Sequence, residues 1–323
     1  MSAFTIPALL AQTARRQPEV ASWISDLPGI VTGLAERWSL QVGEPFQPGG
    51  FCSWTAPAAR GSKADGGELV LKIGFPFASG EQRDEAAALR IWDGDGAVRL
   101  CEAVEMPTAT ALLLERCVPG SRLQDVVPEP ARDVVVADML RQLWARASAA
   151  RSDGQTNDIL TDRAGTNGAP AGGDWPFRPL TEMCDAWADQ FWQDYAAADP
   201  ASRLDPGLAR DGIALFRELP RTADRTVLLC TDLHSENILA ARRAPWLAID
   251  PKPYMGDPAY DLLQYIINCD DRVAADPAGL SDRMAGLAGV DPGRARLWLF
   301  ARAVQESVGS ALLREAAGRL APP

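Results

Sequence analysis

Residues 227–250 limit the possible fold of this chain more than any other stretch of its sequence. Three apolar runs, each long enough for a short strand, are spaced so that a polar side chain stands at the end of each. Asp232 follows the first run, Asn237 precedes the second, and Asp250 follows the third. Asp and Asn are common turn residues. Two carboxylates and an amide at these offsets, however, are typical of phosphoryl transfer from a nucleotide.

Each of these side chains has an expected task in such a reaction. Asp232 would orient an alcohol and take its proton, while Asn237 and Asp250 would ligate Mg²⁺ against the phosphates. His234 is the single histidine of the chain, and we expect its ring to brace the loop rather than to take part in the chemistry. Asp261 is expected to hydrogen-bond back to the backbone of this loop. The expected cofactors are Mg²⁺ and ATP, which these residues do not distinguish from GTP.

The pattern of apolar residues predicts two lobes. Helical periodicity occupies about residues 1–45, and the alternation that follows predicts five strands with one helix after the third. That order is the order of a kinase N-lobe, and helical patterns dominate after Pro119-Gly120. We therefore predict an α+β, protein-kinase-like bilobal fold. Its N-lobe, with a five-stranded antiparallel sheet, would span residues 1–115, and its mainly helical C-lobe residues 116–323.

One segment interrupts the helical half. Residues 152–175 are rich in Gly, Ala, Asn, Asp and Thr and have almost no apolar periodicity. We predict a flexible insertion there, which either has no role or acts as a mobile lid.

A lysine in the third predicted strand is expected to bind the nucleotide. Lys72 stands mid-strand among apolar residues, where a buried charge needs a partner. Glu85, in the helix that follows, is the expected partner in the ion pair that would aim Lys72 at the α- and β-phosphates. Glu81 and Asp84 lie nearby on the same helix as alternatives, and Lys72 could instead be an exposed residue of an edge strand.

Two further segments are expected to contact the nucleotide. Gly49 and Gly50 fall between the first two strands, where a phosphate-covering loop would approach it closely, although paired glycines also occur in plain turns. Glu115 and Cys117 follow the fifth strand. Adenine would meet the backbone C=O of Glu115 and the N–H of Cys117 there, or the segment is an ordinary interdomain linker.

Composition narrows the class of partner. The net charge of −11 disfavours nucleic acid, which binds clustered Lys and Arg, and suits a small cationic ligand. No apolar stretch approaches the roughly 20 residues of a membrane helix, and the beginning of the chain lacks the pattern of a signal peptide. Six cysteines form no CxxC pair. We expect a cytoplasmic monomer with reduced thiols and no membrane partner.

The residues around the predicted site resemble a known family. Three segments are similar to the aminoglycoside phosphotransferases, and within them to the streptomycin 6-phosphotransferase and hydroxyurea-resistance kinase branch: residues 229–239 (LCTDLHSENIL), 249–254 (IDPKPY) and 256–258 (GDP). The similarity extends to residues 85–92, 96–100 and 177–180. The general family has His-Gly-Asp where this chain has Cys230-Thr231-Asp232, so the acid is retained while the bracing of the loop is expected to differ.

The resemblance implies a protein-kinase-like bilobal fold, ATP with Mg²⁺ as the donor, and inactivation of an aminoglycoside antibiotic by phosphorylation. The implied acceptor is the 6-hydroxyl of the streptidine ring of streptomycin. One alternative is a kinase of the same fold for another sugar, aminocyclitol or antibiotic. The other alternative is a non-catalytic, nucleotide-binding regulator.

Streptomycin carries two guanidinium groups, so its site should offer carboxylates and aromatic faces. Asp185 and Asp189 stand four residues apart, on one face of a predicted helix. Asp270 and Glu306 are further acidic candidates. For all four residues the alternative is a solvated helix surface.

Overall fold

The chain folds into two units, Met1–Gly120 and Ser121–Pro323, in this computed structural model. The structure describes residues 4–61, 68–76, 81–152 and 177–322. The predicted insertion therefore lies, beyond residue 152, outside the described residues. The assignment of separate functions to the two lobes stays a prediction.

Within its described residues, the first unit contains two N-terminal helices, one later helix and a five-stranded sheet. Its elements are α1 (Ala8–Arg16), α2 (Pro18–Arg37), β1 (Leu40–Val42), β2 (Ser53–Arg60), β3 (Leu69–Gly74), α3 (Glu81–Trp92), β4 (Leu100–Met106) and β5 (Ala109–Glu115). The strand order is β1-β2-β3-β5-β4, and every neighbouring pair is antiparallel. The predicted sheet, with its single helix after the third strand, is confirmed.

Successive side chains of β3 face opposite sides of the sheet, and this separates Leu71 and Ile73, in the apolar core, from Lys72. Leu71 and Ile73 are fully buried in a cluster that includes Leu10 of α1 and Trp23 of α2. Because successive side chains of a strand point to opposite faces, Lys72 lies on the other face of the sheet. A mid-strand lysine is compatible with this sheet because one face carries the core and the other carries the charge.

The second unit is mainly helical. Its helices are α4 (Leu123–Val126), α5 (Ala131–Ser152), α6 (Leu180–Ala197), α7 (Pro206–Glu218), α8 (Leu263–Ile267), α9 (Asp270–Ala275), α10 (Pro277–Ala288), α11 (Pro292–Glu306) and α12 (Ala311–Leu320). Its short strands, in the part of the chain that the structure describes, are β6 (Val227–Leu229), β7 (Ile238–Ala240), β8 (Trp246–Ala248) and β9 (Tyr254–Gly256). They pair as β6 with β9 and β7 with β8, both antiparallel. Within the described residues, no helix has the length and apolar character needed to cross a membrane.

An aspartate after β9 fixes the chain beyond the short strands. The carboxylate of Asp257 accepts a hydrogen bond from the N–H of Ala259 at 3.0 Å and caps the 3₁₀ turn Pro258–Leu262. It also accepts one from Trp298 Nε1 at 2.7 Å and pairs with the guanidinium of Arg294. The segment that follows the predicted site is thereby attached to α11.

Candidate active site

The hairpin of β7 and β8 brings two of the three predicted side chains together. Ile238 pairs with Ala248, and the N–H of Ile249 donates to the carbonyl of Asn237 at 2.9 Å. Asn237 and Asp250 therefore lie at the same end of the hairpin. β6, the strand that precedes Asp232, lies outside this hairpin and pairs with β9.

Asp232 is held next to this pair by the loop between β6 and β7. Asn237 Nδ2 donates to the backbone carbonyl of Asp232 at 3.0 Å and lies 3.5 Å from its Oδ2. This bond turns the amide oxygen of Asn237 away from Asp232. Burial raises the pKa of Asp232, and the nearby positive charge of Lys252 acts against that rise.

The backbone of the loop is bound to a buried carboxylate, as the sequence predicted. Asp261 is fully buried, and its two oxygens accept from the N–H of Thr231 at 2.6 Å and of Cys230 at 3.0 Å. Trp144 Nε1 also donates to it, at 2.8 Å. Burial raises the pKa of Asp261 to about 6, although these three hydrogen bonds favour its ionised form.

His234 contributes to the loop through its backbone. Its carbonyl accepts from the N–H of Asn237 at 2.9 Å. Its ring Nε2 lies 3.9 Å from Asp232 Oδ1, which is too long for a hydrogen bond. The expected bracing is therefore supplied by the His234 carbonyl and by Asp261 rather than by the histidine ring.

Lys252 is a member of this group to which the sequence analysis gave no role. Its Nζ lies 3.1 Å from Asp250 Oδ1 and 3.7 Å from Asp232 Oδ2. A lysine two positions after the expected metal ligand, between two prolines, was visible in the sequence. Its position between the two carboxylates depends on the fold of the loop and could not be derived from spacing alone.

Asn237 and Asp250 fit a magnesium site of the kind that phosphates complete. Among the described residues, no three or more His, Cys, Asp or Glu side chains form a group that could hold a metal ion by itself. Mg²⁺ is commonly bound by one or two carboxylates, with phosphate oxygens and water as further ligands. One carboxylate and one amide oxygen suit that arrangement, and their role as ligands stays a prediction.

In the first unit, Lys72 and Glu85 form the predicted ion pair. Lys72 Nζ donates to both carboxylate oxygens of Glu85, at 2.8 and 2.6 Å. Both residues are buried, with 8% and 2% of their surface exposed. A buried pair of this geometry fixes the direction of the lysine, while its contact with a nucleotide remains a prediction.

The two glycines between β1 and β2 lie where the N-terminal segment packs. Gly49 has a φ of +78°, and a Cβ added to it would stand 2.4 Å from the Cβ of Pro7. The N–H of Leu9 donates to the carbonyl of Pro48 at 3.1 Å. A Cβ on Gly50 would lie 3.1 Å from Ser53 Oγ. Conformation and close packing thus account for Gly49, and contact of either glycine with phosphate is untested.

The predicted adenine-binding segment continues from β5. The N–H of Glu115 donates to the carbonyl of Arg99, and its Oε2 accepts from the N–H of the same residue at 3.1 Å. The N–H of Arg116 donates to the backbone carbonyl of Glu68, and Cys117 is buried. The segment is therefore ordered by its own sheet, which is compatible with both interpretations made from the sequence.

Two of the acidic substrate candidates contact arginines of the same unit. Asp185 accepts from Arg221 at 2.6 Å and from Arg217 at 3.3 Å, and Asp189 accepts from Arg217 at 2.6 Å. A guanidinium of a substrate would have to share these carboxylates with α7 and the turn after it. The role of Asp185 and Asp189 in binding a substrate stays a prediction.

The other two candidates lie on α9 and α11. Glu306 forms an ion pair with Arg302 at 2.8 Å, and the guanidinium of Arg302 stacks 4.5 Å from the ring centroid of Trp187. Asp270 is the exposed first residue of α9. Trp187 and Glu306 thus give one aromatic face and one carboxylate in contact with the same arginine, and their contact with a substrate is untested.

A family model and two similar proteins agree on one family. Residues 37–156 and 169–312 match the family described as aminoglycoside/hydroxyurea antibiotic resistance kinase. The hydroxyurea phosphotransferase of Kitasatospora aureofaciens is 35% identical over 303 residues, which cover 93% of this chain and 78% of that protein. The streptomycin 6-kinase of Streptomyces glaucescens is 32% identical over 335 aligned positions, which cover 98% of this chain and 95% of that protein.

A solved structure supports the fold. The aminoglycoside phosphotransferase APH(3'')-Id from Streptomyces rimosus, in complex with ADP and streptomycin, has a TM-score of 0.52 and 18% sequence identity. The match covers 88% of this chain and 99% of that one. It confirms the predicted fold class, since identity at this level shows the fold alone.

Proposed function

The chain belongs to the aminoglycoside/hydroxyurea antibiotic resistance kinase family, and from that premise we propose that it transfers a phosphoryl group from ATP to streptomycin. The proposed acceptor is the 6-hydroxyl of the streptidine ring. The observation that supports phosphoryl transfer is the grouping of Asp232, Asn237 and Asp250 at one end of a hairpin. The streptomycin 6-kinase that covers nearly the whole chain supports the acceptor.

In the proposed reaction Asp232 accepts a hydrogen bond from the acceptor hydroxyl and takes its proton as the hydroxyl oxygen bonds to the γ-phosphorus of ATP. The bond from that phosphorus to the β,γ-bridging oxygen breaks in the same transfer, and ADP leaves with the bridging oxygen. Burial makes its carboxylate a stronger base than a solvated one. Asn237 and Asp250 would hold Mg²⁺, which supplies charge neutralisation on the phosphates when it is bound. Lys72, directed by Glu85, would bind the phosphates of the nucleotide.

Mass spectrometry of streptomycin incubated with the protein, ATP and Mg²⁺ tests this proposal. The expected product is streptomycin with one added phosphoryl group, which NMR should assign to the 6-position. Asp232→Asn is the control, and we expect it to lower kcat by about a thousandfold or more. Phosphorylation at another hydroxyl would contradict the regiochemistry, and full activity of Asp232→Asn would contradict the mechanism.

Hydroxyurea is a second candidate acceptor, favoured by the identity of 35% with a hydroxyurea phosphotransferase. Its N–OH group is a small acceptor without the cationic groups of streptomycin. The same assay with each acceptor, and then with both in competition, compares their kcat/KM values. A larger kcat/KM for hydroxyurea would replace streptomycin as the proposed substrate and leave the roles of the catalytic residues unchanged.

A further inference from the structure

We infer that Lys252 positions the carboxylates of Asp232 and Asp250 for phosphoryl transfer. When the nucleotide binds, the ammonium of Lys252 loses its contact with Asp250, and the metal takes its place on that carboxylate. The inference deepens the proposed function and rests on it for the reaction that Lys252 assists. It adds a positioning residue to a site that spacing alone had defined by one amide and two acids.

The first observation is the place of the ammonium group. Lys252 Nζ lies 3.1 Å from Asp250 Oδ1 and 3.7 Å from Asp232 Oδ2, with 35% of the side chain exposed. Two carboxylates on adjoining turns repel each other, and a cation between them offsets that repulsion. Asp232 is the more buried of the two, with 26% of its side chain exposed against 39% for Asp250.

The second observation is how firmly the backbone of Lys252 is held. Its N–H donates to the carbonyl of Cys230 at 2.9 Å, and its carbonyl accepts a hydrogen bond from the hydroxyl of Thr231. Pro251 and Pro253 are buried on either side of it, and each fixes its own φ. The Cα of Lys252 is thus fixed relative to Asp232, and the ammonium at the end of its side chain contacts carboxylate oxygens of both Asp232 and Asp250.

The third observation is that the cation at position 252 is a lysine rather than an arginine. The chain contains 29 arginines and three lysines, Lys63, Lys72 and Lys252. Lys72 forms the buried pair with Glu85, and Lys63 lies outside the described residues. Lysine is a compact point charge with three donors on a flexible stem, whereas the guanidinium of arginine is a planar fork. A cation that must change partners at close range is better supplied by lysine.

These observations lead to a competition at Asp250. The ammonium contacts an oxygen of the carboxylate that Mg²⁺ would use, so the two cations oppose each other there. Removing the ammonium should therefore strengthen the binding of Mg²⁺ and at the same time weaken the alignment of Asp232. A residue that only stabilised the loop would not produce these opposite changes.

The test compares Lys252→Met, which removes the charge, with Lys252→Arg, which keeps it. Arg296→Met is the matched control, because it removes a cation from an ion pair with Asp282 on the surface of α10 and α11. Two quantities are measured for each protein. One is kcat against the KM for ATP, and the other is the Mg²⁺ concentration that gives half of the ADP-induced rise in Tm.

We expect Lys252→Met to lower kcat by about tenfold or more, with the KM for ATP changed by less than about threefold. It should also lower the Mg²⁺ midpoint by about threefold or more. Lys252→Arg should recover part of kcat, and Arg296→Met should resemble the wild type in both measurements.

Three results would overturn the inference. They are a kcat of Lys252→Met within about twofold of the wild type, a Mg²⁺ midpoint that does not fall, and a kcat of Lys252→Arg no higher than that of Lys252→Met. If the wild type transfers phosphate to no acceptor, the proposed function fails. The Mg²⁺ midpoint then still decides whether Lys252 competes with the metal, because the thermal measurement needs no turnover.

Discussion

Two residues of the candidate active site have a left-handed backbone conformation that residues other than glycine rarely adopt. Thr231 and Asp250 have φ values of 53° and 52°, and such a position costs roughly 1–3 kcal/mol. At Thr231 the cost is offset by a hydrogen bond from its N–H to Asp261 and one from its hydroxyl to the carbonyl of Lys252. The strain lies where the chain must turn to present Asp232 and Asp250, as is common at functional sites.

Asp261 is predicted to make the protein less stable as the pH rises through the weakly acidic range. Burial raises the pKa of Asp261 from its ordinary value of 3.8 to about 6. Between these values the folded protein binds this proton and the unfolded chain has lost it, so the contribution of Asp261 to the free energy of unfolding falls as the pH rises. Urea unfolding of the wild type and of Asp261→Asn, at pH about 4.5 and about 7, measures the difference.

The stability advantage of the wild type over Asp261→Asn should shrink toward neutral pH. The comparison isolates this group, because the other titrating residues are common to both proteins. An advantage that stays constant or grows with pH would show that Asp261 is ionised in the folded protein at the lower pH.

The sequence predicted the three oxygen side chains of the site because their spacing follows directly from strand ends. It did not predict the position of Lys252, which depends on two hydrogen bonds, from its N–H to the carbonyl of Cys230 and from the hydroxyl of Thr231 to its carbonyl. It also could not show that Asp185 contacts Arg217 and Arg221, since those partners come from elements 32 and 36 residues away.

Among the secondary-structure elements, the contact between the start of α1 and Gly49, in the turn between β1 and β2, predicts the effect of a substitution on stability. Gly49→Ala is expected to destabilise the protein by about 1–3 kcal/mol, because its φ is +78° and the new Cβ would clash with Pro7. The N–H of Ala8 also bonds Gln47 Oε1, so the clash would disturb the start of α1. Thermal unfolding followed by circular dichroism measures the loss.

Gly29→Ala is the matched control for that substitution. Gly29 lies within α2, and a Cβ added there has no heavy atom within 4 Å. Alanine is favoured over glycine in a helix by about 1 kcal/mol, so this variant should be as stable as the wild type or more so. Equal losses in both variants would mean that the packing against Pro7 is not the cause.

Four helices of the second unit meet at a buried carboxylate. Asp133 of α5 is fully buried and accepts from Arg272 of α9 at 2.7 and 2.8 Å and from Arg283 of α10 at 2.6 Å. Tyr265 of α8 donates to it at 2.6 Å. Burial opposes the ionisation of Asp133, but these hydrogen bonds outweigh it and hold the pKa of Asp133 below its ordinary value.

Asp133→Asn is predicted to destabilise the protein by about 1–3 kcal/mol at neutral pH, since it removes the fully buried carboxylate that pairs with Arg272 and Arg283. A depressed pKa adds stability above the ordinary value of an aspartate and loses it as the pH falls through the lowered value. The gap between the wild type and Asp133→Asn in urea unfolding should therefore be widest near pH 7 and shrink below about pH 4. This is the opposite trend to that of Asp261, and a gap independent of pH would contradict it.

The sheet of the first unit could be predicted because its longer strands run over six to eight residues, and β2 alternates between buried and partly exposed side chains. The strand β9 could not, because Tyr254–Gly256 has only three residues and pairs with β6, which lies 25 or more positions earlier in the chain. Pairing over that separation leaves no local pattern in a segment so short. The sequence therefore predicts the long elements well and misses β9, a short strand that pairs with a distant partner and lacks the apolar run that indicates β6.

For the molecule as a whole, acidic residues exceed basic ones by 43 to 32. Many of the arginines in the described residues are engaged by aspartates, as Arg272 and Arg283 are by Asp133. The formal net charge of −11 is thus the excess that remains after such pairs are counted. A field of that sign attracts cations from solution and acts on them over about one Debye length.

This field should distinguish the two candidate acceptors by their response to salt. Streptomycin is cationic and hydroxyurea is neutral, so only the approach of streptomycin gains from the negative charge of the protein. Raising the ionic strength from about 0.02 M to about 0.5 M shortens the Debye length from roughly 20 Å to a few ångströms. We expect kcat/KM for streptomycin to fall by about threefold or more, while any turnover of hydroxyurea changes far less.

ATP and Mg²⁺ are kept saturating in both assays, so that screening of the nucleotide affects both acceptors alike. An equal fall for the two acceptors would mean that the excess negative charge does not act on the substrate.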